Sequence, residues 1–150
     1  MRADFALVTA TGRPLVLVEA KERLDVSLDW AIRFRRNYLA HAAITPDTAF
    51  LLVTPSNVFY WAEDGDGALL KAPDVTVPWN SLRSAQTAPS AVQSQQHRED
   101  SSFQGSVWEW LTTVVSVAPS DAVADDVRPL LTANAMLAAR GGTVIVEPFV

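Results

Sequence analysis

Glu19 and Lys21 close an apolar run, Leu15-Val16-Leu17-Val18, and Asp4 opens an earlier one, Phe5-Ala6-Leu7-Val8. Charged residues are poor strand formers and are seldom buried without partners. Alternation along a strand puts Glu19 and Lys21 on one face. Thr11-Gly12-Arg13-Pro14 is a turn sequence that joins the two runs into a hairpin. Folding that hairpin about Gly12 and Arg13 pairs Ala10 with Leu15, Ala6 with Glu19 and Asp4 with Lys21. Directly opposed residues share a face, so all three charges converge, with Asp4 and Glu19 diagonal and about 7–8 Å apart at the backbone. A one-residue slip would turn Asp4 to the other face.

Two carboxylates at that separation suit a hard divalent cation, Mg²⁺ or Mn²⁺. Such a metal can polarise a phosphoryl oxygen and generate hydroxide from bound water. A neighbouring ammonium can orient or deprotonate the attacking water and offset negative charge in the transition state. Phosphodiester hydrolysis needs nothing more. The plainer alternative is a surface Glu19–Lys21 pair at a strand end with an unrelated Asp4.

The elements that position these residues follow from periodicity. Residues 4–10 and 15–21 read as the two hairpin strands. Ser27 is a good N-cap and Asp29 suits a first helical turn. Leu28, Ala31, Ile32, Tyr38 and Leu39 then recur at helical spacing to about His41. Thr45-Pro46-Asp47 ends that helix. Residues 49–54 form a mostly apolar, central strand, and 58–61 the strand that returns from Pro55-Ser56-Asn57. Asp64-Gly65-Asp66-Gly67 closes this block; it lacks a following Gly-Lys-Ser/Thr and is no phosphate loop. Pro73 and Pro78 forbid a long regular element. Residues 84–102 are Ser/Gln-rich and read as a flexible linker. Helical patterns follow at 103–117 and, with a break expected near Pro129, at 121–140. Gly141-Gly142 is a C-cap signal, and 143–150 reads as a terminal strand. The order is β-β-α-β-β, a linker, then α-α-β. That is a single α/β (α+β) domain with a mixed β-sheet flanked by helices.

An acidic residue opening a strand, a turn, and an apolar strand ending Glu-x-Lys resemble the signature of the PD-(D/E)XK nuclease superfamily. The following helix and strand, 27–41 and 49–54, match that family's order; the resemblance covers residues 4–61, within a nuclease-like core of residues 1–63. It implies a restriction-endonuclease-like fold and a Mg²⁺- or Mn²⁺-dependent nuclease acting on DNA, with RNA as the other substrate. Carried over residue by residue, Asp4 and Glu19 hold the metal and Lys21 completes the catalytic trio. Tyr38 falls where RecB-like members place a Tyr, and Phe34 where they place a Gln. The family core also has a helix and a strand before its Asp. The C-terminal helix with the 143–150 strand, a second copy of the chain or a partner chain could fill those places. The alternative reading of the same fold is a catalytically inactive module that binds protein or nucleic acid.

Composition narrows the rest. A net charge of −5 argues against non-specific coating of nucleic acid. Residues 1–40, however, carry seven Lys/Arg against five acids, whereas the remainder carries five against twelve. A local nucleic-acid surface is therefore compatible, with Arg33, Arg35 and Arg36 on the helix as candidate phosphate contacts. Arg33, Arg36, Asn37 and Ala40 share one face. Arg35 falls on the apolar stripe, so its guanidinium either reaches the site or snorkels to water over a packed stem. With His41 at a helix end and His97 in the linker, a histidine-based site has little support. Trp30, Trp61 and Trp108 read as packing residues, and Trp79, beside Pro78, as an exposed contact. No cysteine, signal-peptide pattern or spanning apolar run is present, which suits a cytoplasmic protein with no membrane contact.

Overall fold

The computed structural model describes residues 3–41, 48–63, 70–84, 103–116 and 125–146. The turn at 45–47, the stretch 64–67, the linker beyond Ser84 with His97, the start of the 121–140 pattern and the end of the 143–150 strand lie outside the described residues.

The strands are β1 (Phe5–Val8), β2 (Pro14–Ala20), β3 (Ala49–Val53), β4 (Asn57–Trp61), β5 (Val75–Pro78) and β6 (Thr143–Val146). The helices are α1 (Leu28–His41), α2 (Trp79–Ser84), α3 (Phe103–Ser116), α4 (Arg128–Leu131) and α5 (Asn134–Ala138). They build a mixed α/β fold on one six-stranded sheet, ordered β5-β4-β3-β2-β1-β6. Among the described residues β2 and β3 alone pair in parallel, with α1 as their crossover, and the other pairings are antiparallel.

Two apolar clusters sandwich the sheet. On one face α1 covers Ala6, Leu17, Phe50, Leu52, Phe59 and Trp61. On the other, α2 to α5 cover Leu7, Val16, Val18, Leu51 and Tyr60. Burial on both sides explains why β3, Ala-Phe-Leu-Leu-Val, is apolar without alternation: all five of its residues are buried. Among the described residues no helix is long and apolar enough to cross a membrane.

The strands and helices up to Trp61 fall within a residue or two of expectation. Ser27 caps α1, its Oγ accepting the Trp30 N–H at 3.0 Å. Beyond Trp61 the structure differs from the sequence reading in the Pro-bounded segment and at Trp79 and Trp108, and it places the break expected near Pro129 two residues later. A short strand and helix, β5 and α2, occupy the Pro-bounded segment. β5 is an edge strand ending at Pro78, where the missing N–H costs no ladder bond. Trp79 is not exposed: it packs edge-on against Trp110, with ring centroids 5.6 Å apart. Trp108, expected to pack, is 43% exposed, because the buried stripe of α3 runs through Val107, Trp110, Leu111, Val114 and Val115. Residues 128–138 form two short helices. Pro129 sits within the first turn of α4, where a proline is tolerated, and the break falls after Leu131.

β6 lies along the outer edge of β1, pairing Ala6 with Ile145. The approach is close. A Cβ on Gly142 would collide with the Val8 carbonyl oxygen, so glycine is what lets the chain leave α5 and enter the sheet there.

Candidate metal and catalytic site

The hairpin register differs from the sequence expectation by two residues. Phe5 pairs with Val18, Ala6 with Leu17 and Leu7 with Val16, and the ladder then slips at Leu7/Val8 so that Val8 faces Pro14. The turn is centred near Thr11 rather than on Gly12 and Arg13. Thr9 N–H donates to the Arg13 carbonyl at 2.9 Å, Gly12 N–H donates to the Thr9 carbonyl at 2.9 Å, and Gly12 takes φ of 90°. An even shift leaves every side chain on its face. It also places Asp4, one step beyond Phe5, directly beside Glu19 rather than opposite Lys21. Asp4 N–H donates to the Val18 carbonyl at 3.1 Å, and its carboxylate Oδ2 accepts the Ala20 N–H at 2.8 Å. The backbone of β2 therefore aims the Asp4 carboxylate at Glu19.

Glu19 lies beside Leu52 of β3 under α1 and is 2% exposed. Burial, then a hydrogen bond to the Asp4 carboxyl, then the Asp4 negative charge raise its pKa from 4.5 to about 8; Lys21 opposes the shift. At neutral pH Glu19 is thus mostly protonated and hydrogen-bonded to Asp4. Its Oε2 is buried and accepts no hydrogen bond. The Lys21 ammonium stands 3.6 Å from that oxygen, at ion-pair but not hydrogen-bond distance. Lys21 is 44% exposed at its side chain, and its backbone N–H is fixed by the Val53 carbonyl at 2.9 Å. The three groups are together, with the neutral Glu19 carboxyl buried, the Asp4 carboxylate bound to backbone and the Lys21 ammonium at the rim.

Tyr38 of α1 stands near enough to Glu19 and Asp4 to feel their charge, at the position that the resemblance matched to a family tyrosine. It is 1% exposed, and burial, then the charges of Glu19 and Asp4, hold its phenol well above the ordinary tyrosine range. A ring column runs outward from it through Phe34 to Trp30, with centroids 6.4 and 5.2 Å apart.

The helix arginines do not join the trio. Arg33 pairs with Asp29 across one turn at 2.9 Å, and Arg36 hydrogen-bonds Asn37 at 3.3 Å. Arg35 is 5% exposed and lies over the Trp61 ring, 5.6 Å from its centroid, so it neither snorkels to water nor presents its head to a ligand from outside. Two other cations face the ring column instead: Lys21 over Phe34 at 5.6 Å and Arg23 over Trp30 at 4.9 Å.

Among the described residues no group of three or more His, Cys, Asp or Glu converges as a ready-made metal cage. The Asp4–Glu19 pair fits a cation that keeps much of its water and takes one or two carboxylates, as Mg²⁺ does. The observation that supports this fit is the buried Oε2 of Glu19, which accepts no hydrogen bond, beside a second carboxylate, a site where a proton now balances charge. No protein-family model, curated protein or solved structure gives a significant match to the chain.

Proposed function

We propose that this protein is a Mg²⁺- or Mn²⁺-dependent nuclease of the PD-(D/E)XK type, with a restriction-endonuclease-like sheet, that hydrolyses DNA phosphodiester bonds. The observation that carries the reading is the meeting of Asp4, Glu19 and Lys21 on one face of a hairpin, at the end of the sheet that α1 covers. The β-β-α-β order around them, with β6 beside β1 where the family's first strand lies, supports the same reading.

Asp4 and Glu19 would hold the metal, which when bound supplies Lewis-acid polarisation of the phosphoryl group and acidifies water. Asp4 keeps its carboxylate in place through the Ala20 N–H. Glu19 must lose its proton to become a ligand, so ligation is coupled to proton release. Lys21, half-exposed at the rim, would orient the attacking water and offset charge on the phosphoryl oxygens.

The second reading, an inactive nuclease-like module, draws support from the Glu19 proton itself: a carboxyl that stays neutral and bonded to Asp4 is a stable structure without a metal. Incubation with labelled DNA separates the two. The nuclease reading expects cleavage in Mg²⁺ or Mn²⁺ that stops on chelation and speeds up as pH rises through about 8, where Glu19 ionises. Intact DNA across that range would favour the inactive module.

A further inference from the structure

The cations that lie over the ring column are not those of the helix face that the sequence singles out. Lys21 and Arg23 sit on β2's exit, and each lies over an aromatic ring of α1. Phe34 and Trp30 are stacked, 25° from parallel, and Arg23 lies on the Trp30 ring. Arg23 is exposed and Trp30 half-buried. The result is a column that starts at Tyr38 near the carboxylates and ends at a guanidinium in solvent.

We infer that the column Phe34–Trp30–Arg23, with Lys21 beside it, is the substrate track of this site and that it takes single-stranded DNA. The inference rests on the nuclease reading for the direction of the track and on the column itself for its chemistry. A nucleobase adds to the solvent end of the column by stacking on the guanidinium plane, which accepts bases much as an aromatic ring does. The phosphate beside that base meets Arg23, and the next one inward meets Lys21 at the rim of the carboxylate pair. Base stacking with interleaved cations is tolerant of sequence and selects strands whose base faces are free. A duplex hides those faces, so it gains only the phosphate contacts. Arg33, tied to Asp29, and Arg36, bonded to Asn37, leave the outer face of α1 less available for the same task.

The test is equilibrium binding of a short labelled oligothymidylate and of its duplex, by fluorescence anisotropy in EDTA. The full chain is compared with Trp30→Ala, Trp30→Phe and Arg23→Ala. Single-strand affinity is expected to fall about tenfold in Trp30→Ala and to stay near wild type in Trp30→Phe. Arg23→Ala should weaken it several-fold and flatten its salt dependence by about one phosphate contact. Duplex affinity should move much less in all three. Arg23 is exposed, so Arg23→Ala decides the matter even if Trp30→Ala does not fold. Unchanged single-strand affinity in Arg23→Ala or in a folded Trp30→Ala, or tighter binding of the duplex, overturns the inference. Because the assay holds no metal, a protein that binds in this pattern yet never cleaves would refute the nuclease reading and leave the track standing. Cleavage with no such pattern would do the reverse.

Discussion

Lys21→Ala is expected, if the protein is the proposed nuclease, to lower Mg²⁺-dependent DNA cleavage by roughly 10²- to 10⁴-fold, the range in which a positioned proton-transfer group acts. The fold should survive the change. Lys21 is half-exposed, its strand is held by a backbone bond to Val53 that the side chain does not make, and its ion pair with Glu19 is long at 3.6 Å. The substitution has a second consequence that must be separated from the first. Lys21 lowers the Glu19 pKa, so its removal makes the Glu19 proton harder to displace by a metal. Single-turnover rates measured against Mg²⁺ concentration divide the two effects. A rate restored by excess metal assigns Lys21 to tuning of Glu19, and a rate that stays low at saturating metal assigns it to the water and phosphoryl group. Lys21→Arg keeps the cation but cannot deprotonate water, and it should fall between the two. Full activity in Lys21→Ala would remove Lys21 from the mechanism.

The second large effect concerns stability. The Glu19 carboxyl titrates near pH 4.5 when the chain is unfolded and near 8 when it is folded. Below pH 4.5 both states are protonated and folding bears no ionisation penalty. Between pH 4.5 and about 8 the unfolded chain loses its proton while the folded chain keeps it, so stability falls as pH rises. Above about 8 the buried carboxylate is charged and the penalty is complete. Its size is on the order of a few kcal/mol, a large share of the total for a domain of this size. Glu19→Gln removes the titration while keeping shape and one hydrogen bond to Asp4. Chemical denaturation across this range should show the wild type losing stability toward alkaline pH and Glu19→Gln losing markedly less, so that the variant is the more stable protein at pH 9. Parallel pH profiles for the two proteins would mean that Glu19 carries no raised pKa.

The site was legible in the sequence to the extent that it depends on parity. Which face Asp4, Glu19 and Lys21 share is fixed by alternation, and a register error of two residues cannot change it. Which residue stands opposite which depends on the closure of the Thr9–Arg13 turn and on the slip at Leu7/Val8, both set by local hydrogen bonds that no periodicity encodes. The helix face was legible only in part. Leu28 was expected on the buried stripe and is 52% exposed, whereas the buried positions of α1 are Ala31, Arg35 and Tyr38. The side of a helix that meets a sheet is decided by the sheet's twist and by neighbours such as Trp61, which are remote in sequence. The same holds for β6, whose place beside β1 joins residues at opposite ends of the chain. β5 was missed because Pro73 and Pro78 were read only as breakers, although Pro73 precedes the strand and the end of an edge strand accommodates Pro78. The ring column was missed because Trp30 and Phe34 look like ordinary packing residues until Lys21 and Arg23 are found above them.

The measurement that bears most directly on the central claim is a calorimetric titration of the protein with Mn²⁺. The metal reading predicts saturable binding that tightens from about pH 6.5 to about pH 8.5 as Glu19 gives up its proton, releases a proton on binding, and is abolished by Glu19→Ala. No saturable binding by the wild type at any pH in that range, or equal binding by Glu19→Ala, would contradict it.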